Sequence, residues 1–320
     1  MNVAASVRQR LLNLARARQD DFQRILTQYA LERLLYRLSQ SEYAGGFILK
    51  GALLFLLWTE EPHRRTRDLD LLGAGDPSPA RYAAIFRTLC TLTVEEDGLV
   101  FDPASVTAQH IREENIYGGV RVTLTALLEN ARIRVQVDVG FGDAAAPEPA
   151  MVEFPTLLNF APPRLRAYAP ETVIAEKLSA LVALDLANSR LKDFFDLWFL
   201  ARSFAFDGSR LADAIAATFA RRVQPLPRDT PTGLTTAFAG NAAKQTQWQA
   251  FVRQNVSTSL QVLTLPEVVA AIALFLLPVL EALRESAPFT KHWEPGGPWT
   301  EDKVKKRKVE NRVNPEDRPS

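Results

Sequence analysis

The chain has 320 residues, of which 47% are hydrophobic and 23% are charged, a balance typical of a folded protein and not of a disordered one. This length favours two domains. The formal net charge of +1 excludes a strong overall attraction to nucleic acid or to an anionic membrane, so any contact with phosphate must come from a local basic cluster.

Cysteine and apolar patterning indicate the compartment. Cys90 is the only cysteine, so no intrachain disulfide is possible, and the three histidines lie far apart without the spacing of a zinc site. Residues 1–6 lead into a charged helix and lack the apolar run of a signal peptide. The most apolar run, residues 268–280, is too short to span a bilayer and contains Pro278. We therefore expect a cytoplasmic protein without a membrane partner, in which this run is a buried helix.

The first part of the chain predicts helices followed by a short strand. Apolar residues recur every three or four positions within 7–38, which indicates one or two amphipathic helices. After Gly45-Gly46, residues 47–49 are typical of a short buried strand, and a second helix is expected over 52–58. Gly51 lies between them, where it would let a phosphate approach the main chain at the start of a helix.

The next strand contains Asp68 and Asp70. Their side chains point to the same face, because side chains alternate along a strand. A loop over residues 73–79 and a helix over 80–92 follow.

A β-hairpin is predicted farther along. Residues 120–125 and 132–139 both alternate between apolar and polar side chains, with Glu129-Asn130 between them as the turn. This alternation places Asp138 on the polar face, pointing away from the core.

The three aspartates have two interpretations. Carboxylates that converge from adjacent strands hold Mg²⁺ ions against a triphosphate, which would make Asp68, Asp70 and Asp138 metal ligands of a nucleotidyl-transfer site. Short motifs also arise by chance, and all three could instead be solvated carboxylates with Arg67 and Arg134 as ion-pair partners.

From about residue 162 the pattern becomes helical. A helix opens at Pro170-Glu171 and runs to about residue 186, Asn188 or Ser189 could cap the next helix through residue 204, and further helices extend to about residue 285. The chain from Gly296 is polar and charged. We expect N-terminal helices with an α/β domain over residues 1–165, a helical domain over 166–295 and a disordered charged tail over 296–320.

Charged residues in this second half stand out for their positions. Lys177 lies on an apolar helix stripe, where its ammonium could extend to the edge of the core or reach a triphosphate. Asp193 and Asp196 fall early in the following helix, a position that the helix dipole favours without any function. Basic clusters at residues 64–67 and 303–308 could contact phosphates or could simply be solvated.

Taken in order, these segments resemble a known family, the AbiEii/AbiGii-type nucleotidyltransferase toxins of bacterial type IV toxin–antitoxin and phage-abortive systems. The resemblance covers roughly residues 20 to 200, with a weaker similarity at residues 243–248. Its motifs are the helix over residues 29–38, Leu49-Lys50-Gly51-Ala52, Arg67-Asp68-Leu69-Asp70, residues 170–177, and Arg190-x-Lys192-Asp193-x-x-Asp196-Leu197.

The resemblance implies a polymerase-beta-type α/β nucleotidyltransferase domain with a mixed sheet, followed by a helical domain, with the active site in the cleft between them. It implies that Asp68 and Asp70 bind Mg²⁺, with Asp138 as a third ligand on the superfamily plan. One departure is that Ala52 follows Gly51, where superfamily members commonly have serine or glycine, so a hydroxyl contact to phosphate is absent. The implied catalytic residues are Asp68, Asp70, Lys177 and Asp193, and the implied nucleotide-binding residues are Lys50, Gly51, Ala52, Arg67 and Lys177.

The implied reaction is Mg²⁺-dependent transfer of a nucleoside monophosphate from an NTP to an acceptor hydroxyl, with the 3′ end of tRNA as the leading acceptor. Such a toxin would inhibit translation and growth until an antitoxin from a neighbouring gene neutralised it. Two alternatives stay open at this point. The acceptor could be a small molecule, as in antibiotic nucleotidyltransferases, or the chain could be a non-catalytic binding module on the same scaffold.

Overall fold

The computed structural model describes residues 2–59, 64, 66, 68–111, 118–143, 145–256 and 263–301. The chain divides into two compact units, each with its own buried apolar side chains. The first comprises Met1–Ala169 with Asn255–Leu260, and the second comprises Pro170–Gln254 with Gln261–Ser320.

Three helices of the first unit begin at a side-chain cap or at a proline. Asn2 caps α1 and Asp21 caps α2, each by accepting a hydrogen bond from a backbone N–H three residues on. The helix expected over residues 52–58 is instead a 3₁₀ turn, Gly51–Leu54, followed by one short α-helix. The α-helices are α1 (Val3–Ala17), α2 (Phe22–Ser39), α3 (Phe55–Trp58) and α4 (Pro79–Thr91).

The described strands of this unit form a seven-stranded mixed sheet, in the order β3-β4-β5-β2-β1-β7-β6. β2 is parallel to β5 and β1 is parallel to β7, while the remaining neighbours are antiparallel. The predicted α/β class with a mixed sheet is therefore confirmed. The strands are β1 (Phe47–Lys50), β2 (Asp68–Gly73), β3 (Val100–Ile111), β4 (Gly119–Leu128), β5 (Ala131–Phe141), β6 (Ala150–Glu153) and β7 (Arg164–Ala167).

The β4–β5 hairpin has the predicted register. Leu128 pairs with Ala131 across the two-residue turn, and Glu129 adopts a φ of 52° there. Val120 and Val122 face Val139 and Val137 on the buried side, so their apolar side chains form the core under α2 and α4. The polar side chains of the same strands line the opposite face of the sheet.

Three strands of this unit, β3, β6 and β7, were not predicted, and β6 and β7 have only four residues each. β3 contains Pro103 and a register irregularity between Asp102 and Thr107, which masks the alternation of a strand. It lies at the edge of the sheet, where a proline is tolerated. β7 falls within the region expected to be helical from residue 162, and this expectation was wrong because only four residues pair with β1 and β6, too few to show a period.

The second unit is mainly helical. The expected helix from Pro170 is present, and Asn188 accepts a hydrogen bond from the N–H of Arg190 just before the next helix. A three-stranded antiparallel sheet also occurs in the described part of this unit, which corrects the expectation of helices alone. The elements are α5 (Pro170–Leu184), α6 (Leu191–Ser203), β8 (Phe206–Asp207), α7 (Gly208–Arg221), α8 (Thr236–Gly240), α9 (Ala242–Asn255), α10 (Leu265–Arg284), β9 (His292–Trp293) and β10 (Trp299–Thr300).

Helix α10 is longer than the apolar run suggested. A capping box of Thr264 and Glu267 starts it, Pro278 lies inside it, and an 18-residue window of its 20 residues reaches a mean hydropathy of 2.0. By length and composition alone α10 could cross a membrane, so the expectation that the run is too short was wrong. The core helix of a folded domain passes the same test, and residues such as Ile272, Phe275 and Leu276 are buried within the protein.

A disordered tail was expected from Gly296, but the structure describes the chain as far as residue 301. The indole N–H of Trp299 donates a hydrogen bond of 2.8 Å to the carbonyl of Phe275, and the two rings stack with centroids 5.6 Å apart. Phe289 and Trp293 complete this aromatic cluster. The rest of the predicted tail, residues 302–320, lies outside the described residues.

Candidate functional site

A row of polar residues crosses the sheet of the first unit. Register pairs Lys50 with Asp70, Asp70 with Asp138, and Asp138 with Arg121, so β1, β2, β5 and β4 each contribute one of them. Neighbouring strands are about 4.8 Å apart, which brings these charged side chains together on one face. Asp68 lies two residues before Asp70 on that face, about 7 Å away along β2. The sheet therefore brings together the three aspartates that the sequence predicted as a group.

Gly51 fits closely against Asp70. Its φ is +74°, in the left-handed region, and a Cβ atom there would lie 2.0 Å from Oδ2 of Asp70. Any other residue would collide with the carboxylate and would be strained in the backbone. The turn at Gly51 and the carboxylate of Asp70 thus depend on each other.

Asp138 is bound by Arg121, which was not among the site residues predicted from the sequence. Arg121 donates two hydrogen bonds to its carboxylate, from Nε at 2.7 Å and from Nη2 at 2.8 Å. Asp138 is 8% exposed although it lies on the polar face. The hydrogen bonds that Arg121 donates to Asp138, followed by the charges of Asp138, Asp68 and Asp70, raise the pKa of the Arg121 guanidinium above its usual value. Arg121 thus lies in the field of all three aspartates.

Lys50 forms a second ion pair at the other end of the row. Its ammonium lies 2.8 Å from Oδ2 of Asp143, which follows β5 just after Gly142. The side chains are only 10% and 3% exposed, so little water competes with the contact. Asp143 therefore fixes the position of the lysine that precedes Gly51.

The donor set suits a hard cation with a phosphate ligand. This cluster combines, within the described part of the chain, carboxylates at positions 68, 70, 138 and 143 with the cations Lys50 and Arg121. Among the described residues, no three His, Cys, Asp or Glu side chains lie close enough together to form a metal centre by themselves. Mg²⁺ commonly takes one or two carboxylates and completes its shell with water and phosphate oxygens. Asp68 and Asp70 therefore fit Mg²⁺ in the presence of a nucleotide, whereas Asp138 is bound by Arg121.

Lys177 and Asp193 form a separate cluster in the second unit. Lys177 of α5 lies 2.6 Å from Oδ1 of Asp193 and 2.8 Å from Oδ2 of Asp196, both on α6. Arg190 Nε contacts the other oxygen of Asp193 at 2.8 Å. Burial alone would raise the pKa of Asp193, but the charges of Lys177 and Arg190 outweigh it and the pKa lies below its usual value. Asp193 is therefore an ionised partner of Lys177, and Asp196 contacts the same ammonium.

The other predicted site residues have different placements. Ala52 is buried within the 3₁₀ turn and offers only its backbone. Arg67 and Arg65 lie outside the described residues. Arg64 is half-buried and pairs through its backbone with Val256.

Two residues of the site, Arg121 and Asp143, were not identified from the sequence. The sequence pattern was sufficient to identify only Arg121. A hairpin with a two-residue turn at Glu129-Asn130 places Arg121 opposite Asp138, so the predicted register already contained this pair. The Lys50–Asp143 pair is different, because its members are 93 positions apart in the sequence and meet only through the strand order.

Comparisons with known proteins place the chain in a family. Residues 33–273 match the profile of the nucleotidyl transferase AbiEii toxin of type IV toxin–antitoxin systems. Among curated proteins, none matches the chain. A candidate nucleotidyltransferase from H. pylori of solved structure is similar with a TM-score of 0.48 and 14% identity, over 83% of this chain and 99% of the other. JHP933 from Helicobacter pylori gives 0.45 and 14%, over 79% and 90%. Because the family profile spans most of its length, the chain belongs to the AbiEii nucleotidyltransferase toxin family.

Proposed function

We propose that this protein transfers a nucleoside monophosphate from an NTP to the 3′-terminal hydroxyl of an RNA, with tRNA as the first acceptor to test. A bond forms between the acceptor oxygen and the α-phosphorus, the bond to pyrophosphate breaks, and the acceptor proton leaves to solvent. The observation that carries the proposal is the row Lys50, Asp70, Asp138 and Arg121 beside Gly51, in a chain of the nucleotidyltransferase family.

Each residue of the row has a proposed task. Gly51 carries no side chain of its own, so its backbone can approach the triphosphate beside the carboxylate of Asp70. Lys50, oriented by Asp143, contributes positive charge beside the phosphates. Asp68 and Asp70 hold Mg²⁺, which when bound neutralises the phosphates and lowers the pKa of an oxygen nucleophile. Asp138 and Arg121 orient each other on the adjacent strands.

Lys177 and Asp193 are proposed to act on the nucleotide as a unit. Two carboxylates of α6 form ion pairs with the ammonium of Lys177, so the position of this ammonium is fixed before substrate binds. A lysine placed in this way supplies a point charge for a phosphate. Asp193 then acts as a positioning residue for Lys177.

The biological setting follows from the family. A type IV toxin is paired with an antitoxin, so we propose that a neighbouring gene encodes one and that expression without it slows growth. The same reasoning makes translation the affected process if tRNA is the acceptor. We propose a cytoplasmic location and a role in phage defence on the same grounds.

The experiment uses purified protein with each labelled NTP, Mg²⁺ and total RNA, followed by mapping of the labelled end. Label on RNA 3′ ends with wild type, and none with Asp70→Asn, supports the proposal. Asp76→Asn is the matched control, since Asp76 is an exposed aspartate of the following loop. Equal transfer by wild type and Asp70→Asn would refute the proposal.

Two further outcomes would favour the alternative functions. Label found only on added aminoglycosides would favour a small-molecule acceptor, and a complete absence of NTP binding would favour a non-catalytic binding module.

A further inference from the structure

The polar face of the sheet continues beyond the aspartates into a shallow depression of about 270 Å³. Its lining combines arginines with hydroxyl groups and contains no carboxylate. The residues are Ser105, Thr123, Leu124, Thr125, Arg132 and Arg134.

Strand register connects this depression to the row of charges. Asp68 pairs with Gln136, and Gln136 pairs with Thr123, so the depression begins in the row of Asp68, one row below Asp70 and Asp138. Thr125 pairs with Arg134 in the next row. Arg134 lies four residues before Asp138 on β5, about 13 Å away, and Arg132 lies about 20 Å away at a rise of about 3.3 Å per residue. The same face therefore carries carboxylates at one end and arginines at the other.

The arginines are available to an external anion. Arg132 and Arg134 are exposed, and neither side chain makes a hydrogen bond or ion pair within the part of the chain that the structure describes. Asp102 pairs in register with Thr125, but its Oδ1 accepts the N–H of Ala104. Guanidinium groups bind phosphate through two parallel N–H donors, and hydroxyl groups add further hydrogen bonds.

The spacing fits a chain of phosphates better than one nucleotide. A triphosphate at Gly51 and Asp70 would already use its oxygens there, whereas the arginines lie farther along β5. With a formal charge of +1 the protein offers no general attraction to RNA, so a local cluster must supply it. Resting on the proposed function, we propose that the surface of Ser105, Thr123, Thr125, Arg132 and Arg134 binds the phosphate backbone of the acceptor RNA a few nucleotides from its reacting 3′ end.

The test measures RNA binding directly. A short fluorescein-labelled single-stranded RNA ending in CCA is titrated with wild type and with Arg132→Gln/Arg134→Gln, without NTP, over about 50 to 200 mM salt. Two lost phosphate contacts should lower the slope of log K against log salt by about 1.4, at about 0.7 per contact on a single strand. We also expect the double variant to bind at least about tenfold more weakly.

The control removes two exposed arginines elsewhere in the first unit. Arg16→Gln/Arg18→Gln changes the net charge equally at the end of α1, and its RNA affinity should stay near wild type. Equal weakening of both double variants, or unchanged binding in Arg132→Gln/Arg134→Gln, overturns the inference. So does an absence of RNA binding by wild type.

Activity separates this inference from the proposed function. The double variant should raise the KM for full-length RNA and leave the KM for NTP and the transfer to a CCA trinucleotide unchanged. If wild type labels neither acceptor, the proposed reaction fails, while the binding measurement still decides on the surface. If the double variant loses transfer to the trinucleotide at a normal melting temperature, the arginines act within the reacting site and the inference is wrong.

Discussion

At the scale of single residues, the site is determined by close contacts between groups of opposite character. Asp70 contacts Gly51, where there is no room for a Cβ atom. Arg121 donates hydrogen bonds to Asp138, and Lys50 forms an ion pair with Asp143. Each contact couples the position of a proposed functional group to one neighbour. Single substitutions at these contacts should therefore change both activity and the free energy of unfolding, and each can be measured.

Gly51→Ala tests the contact with Asp70. The new Cβ would require a shift of the carboxylate and would hold alanine at a φ of +74°. We expect a loss of nucleotidyl transfer together with about 1–2 kcal/mol of unfolding free energy. Gly45→Ala is the control, because nothing lies within 4 Å of its Cβ position and no unusual φ is needed. Normal activity of Gly51→Ala at normal stability would show that the close approach is not required.

Asp143→Asn tests the ion pair of Lys50. Removal of one partner of a buried pair typically costs about 3–5 kcal/mol, whereas removal of both costs less. Urea unfolding of Asp143→Asn, Lys50→Met and the double variant forms a double-mutant cycle. We expect Asp143→Asn to be strongly destabilised and the double variant to be more stable than the sum of the single effects implies. Strict additivity would mean that the 2.8 Å contact contributes no coupling.

At the scale of elements, buried charges tie helices to their neighbours. In the first unit, Asp97 accepts hydrogen bonds from Arg33 and Arg37 of α2, and Tyr29 donates to the carbonyl of Asp97. Burial would raise the pKa of Asp97, but the two arginines hold it below its usual value. Among the described residues, Glu32 on the same helix accepts one hydrogen bond, from the N–H of Leu157, and Arg33 lies 3.8 Å from its other oxygen.

Glu32→Gln tests the consequence for pH. Burial raises the pKa of Glu32 from 4.5 to about 7, so the folded state binds its proton more tightly and stability falls as pH rises through this interval. Glutamine can still accept the N–H of Leu157, which lies 2.7 Å from Oε2, without this loss. We expect the variant to gain up to about 3 kcal/mol over wild type between pH 5 and pH 8. Melting temperatures at both pH values measure it, with the exposed Glu153→Gln as the control, and an equal gain at pH 5 would contradict the titration.

Lys177→Met tests the α5–α6 cluster. Without the lysine, Asp193 and Asp196 are two buried carboxylates that share less positive charge, so their pKa values should rise. Both then take up protons at low pH, and the loss of unfolding free energy should be larger at pH 8 than at pH 5. Urea unfolding at the two pH values measures this, with the exposed Lys192→Met as the control. A loss independent of pH would indicate that Lys177 matters for packing and not for charge.

Strands in which apolar and polar residues alternate clearly could be predicted from the sequence, whereas short or irregular strands could not. The β4–β5 hairpin alternates between apolar and polar residues over 120–125 and 132–139, so its register and the face of Asp138 were evident. β7, with four residues, and β3, with its proline and bulge, give no comparable pattern. For the same reason the aspartates could be grouped from sequence, while Asp143 could be recognised only from the strand order.

At the scale of the whole molecule, the chain places its candidate residues in two units with separate cores. Phe195, Trp198 and Phe275 belong to the apolar core of the second unit, whereas Leu71, Val137 and Val139 belong to that of the first. Most of the stability of each unit comes from such burial. A defect in one core should therefore be measurable within that unit.

Trp299→Ala tests this separation. The indole stacks on Phe275, contacts Phe289 and Trp293, and donates a hydrogen bond to the Phe275 carbonyl, so its loss leaves a void beside α10. We expect about 3 kcal/mol of destabilisation, at the low end for a large aromatic because Trp299 is half-buried. Native-state hydrogen exchange should show lower protection in α10 and α6, and unchanged protection in β4 and β5. Trp299→Phe retains the ring and should recover most of the protection. An equal decrease in both units would instead mean that they unfold as one cooperative body, since the substitution touches the core of the second unit alone.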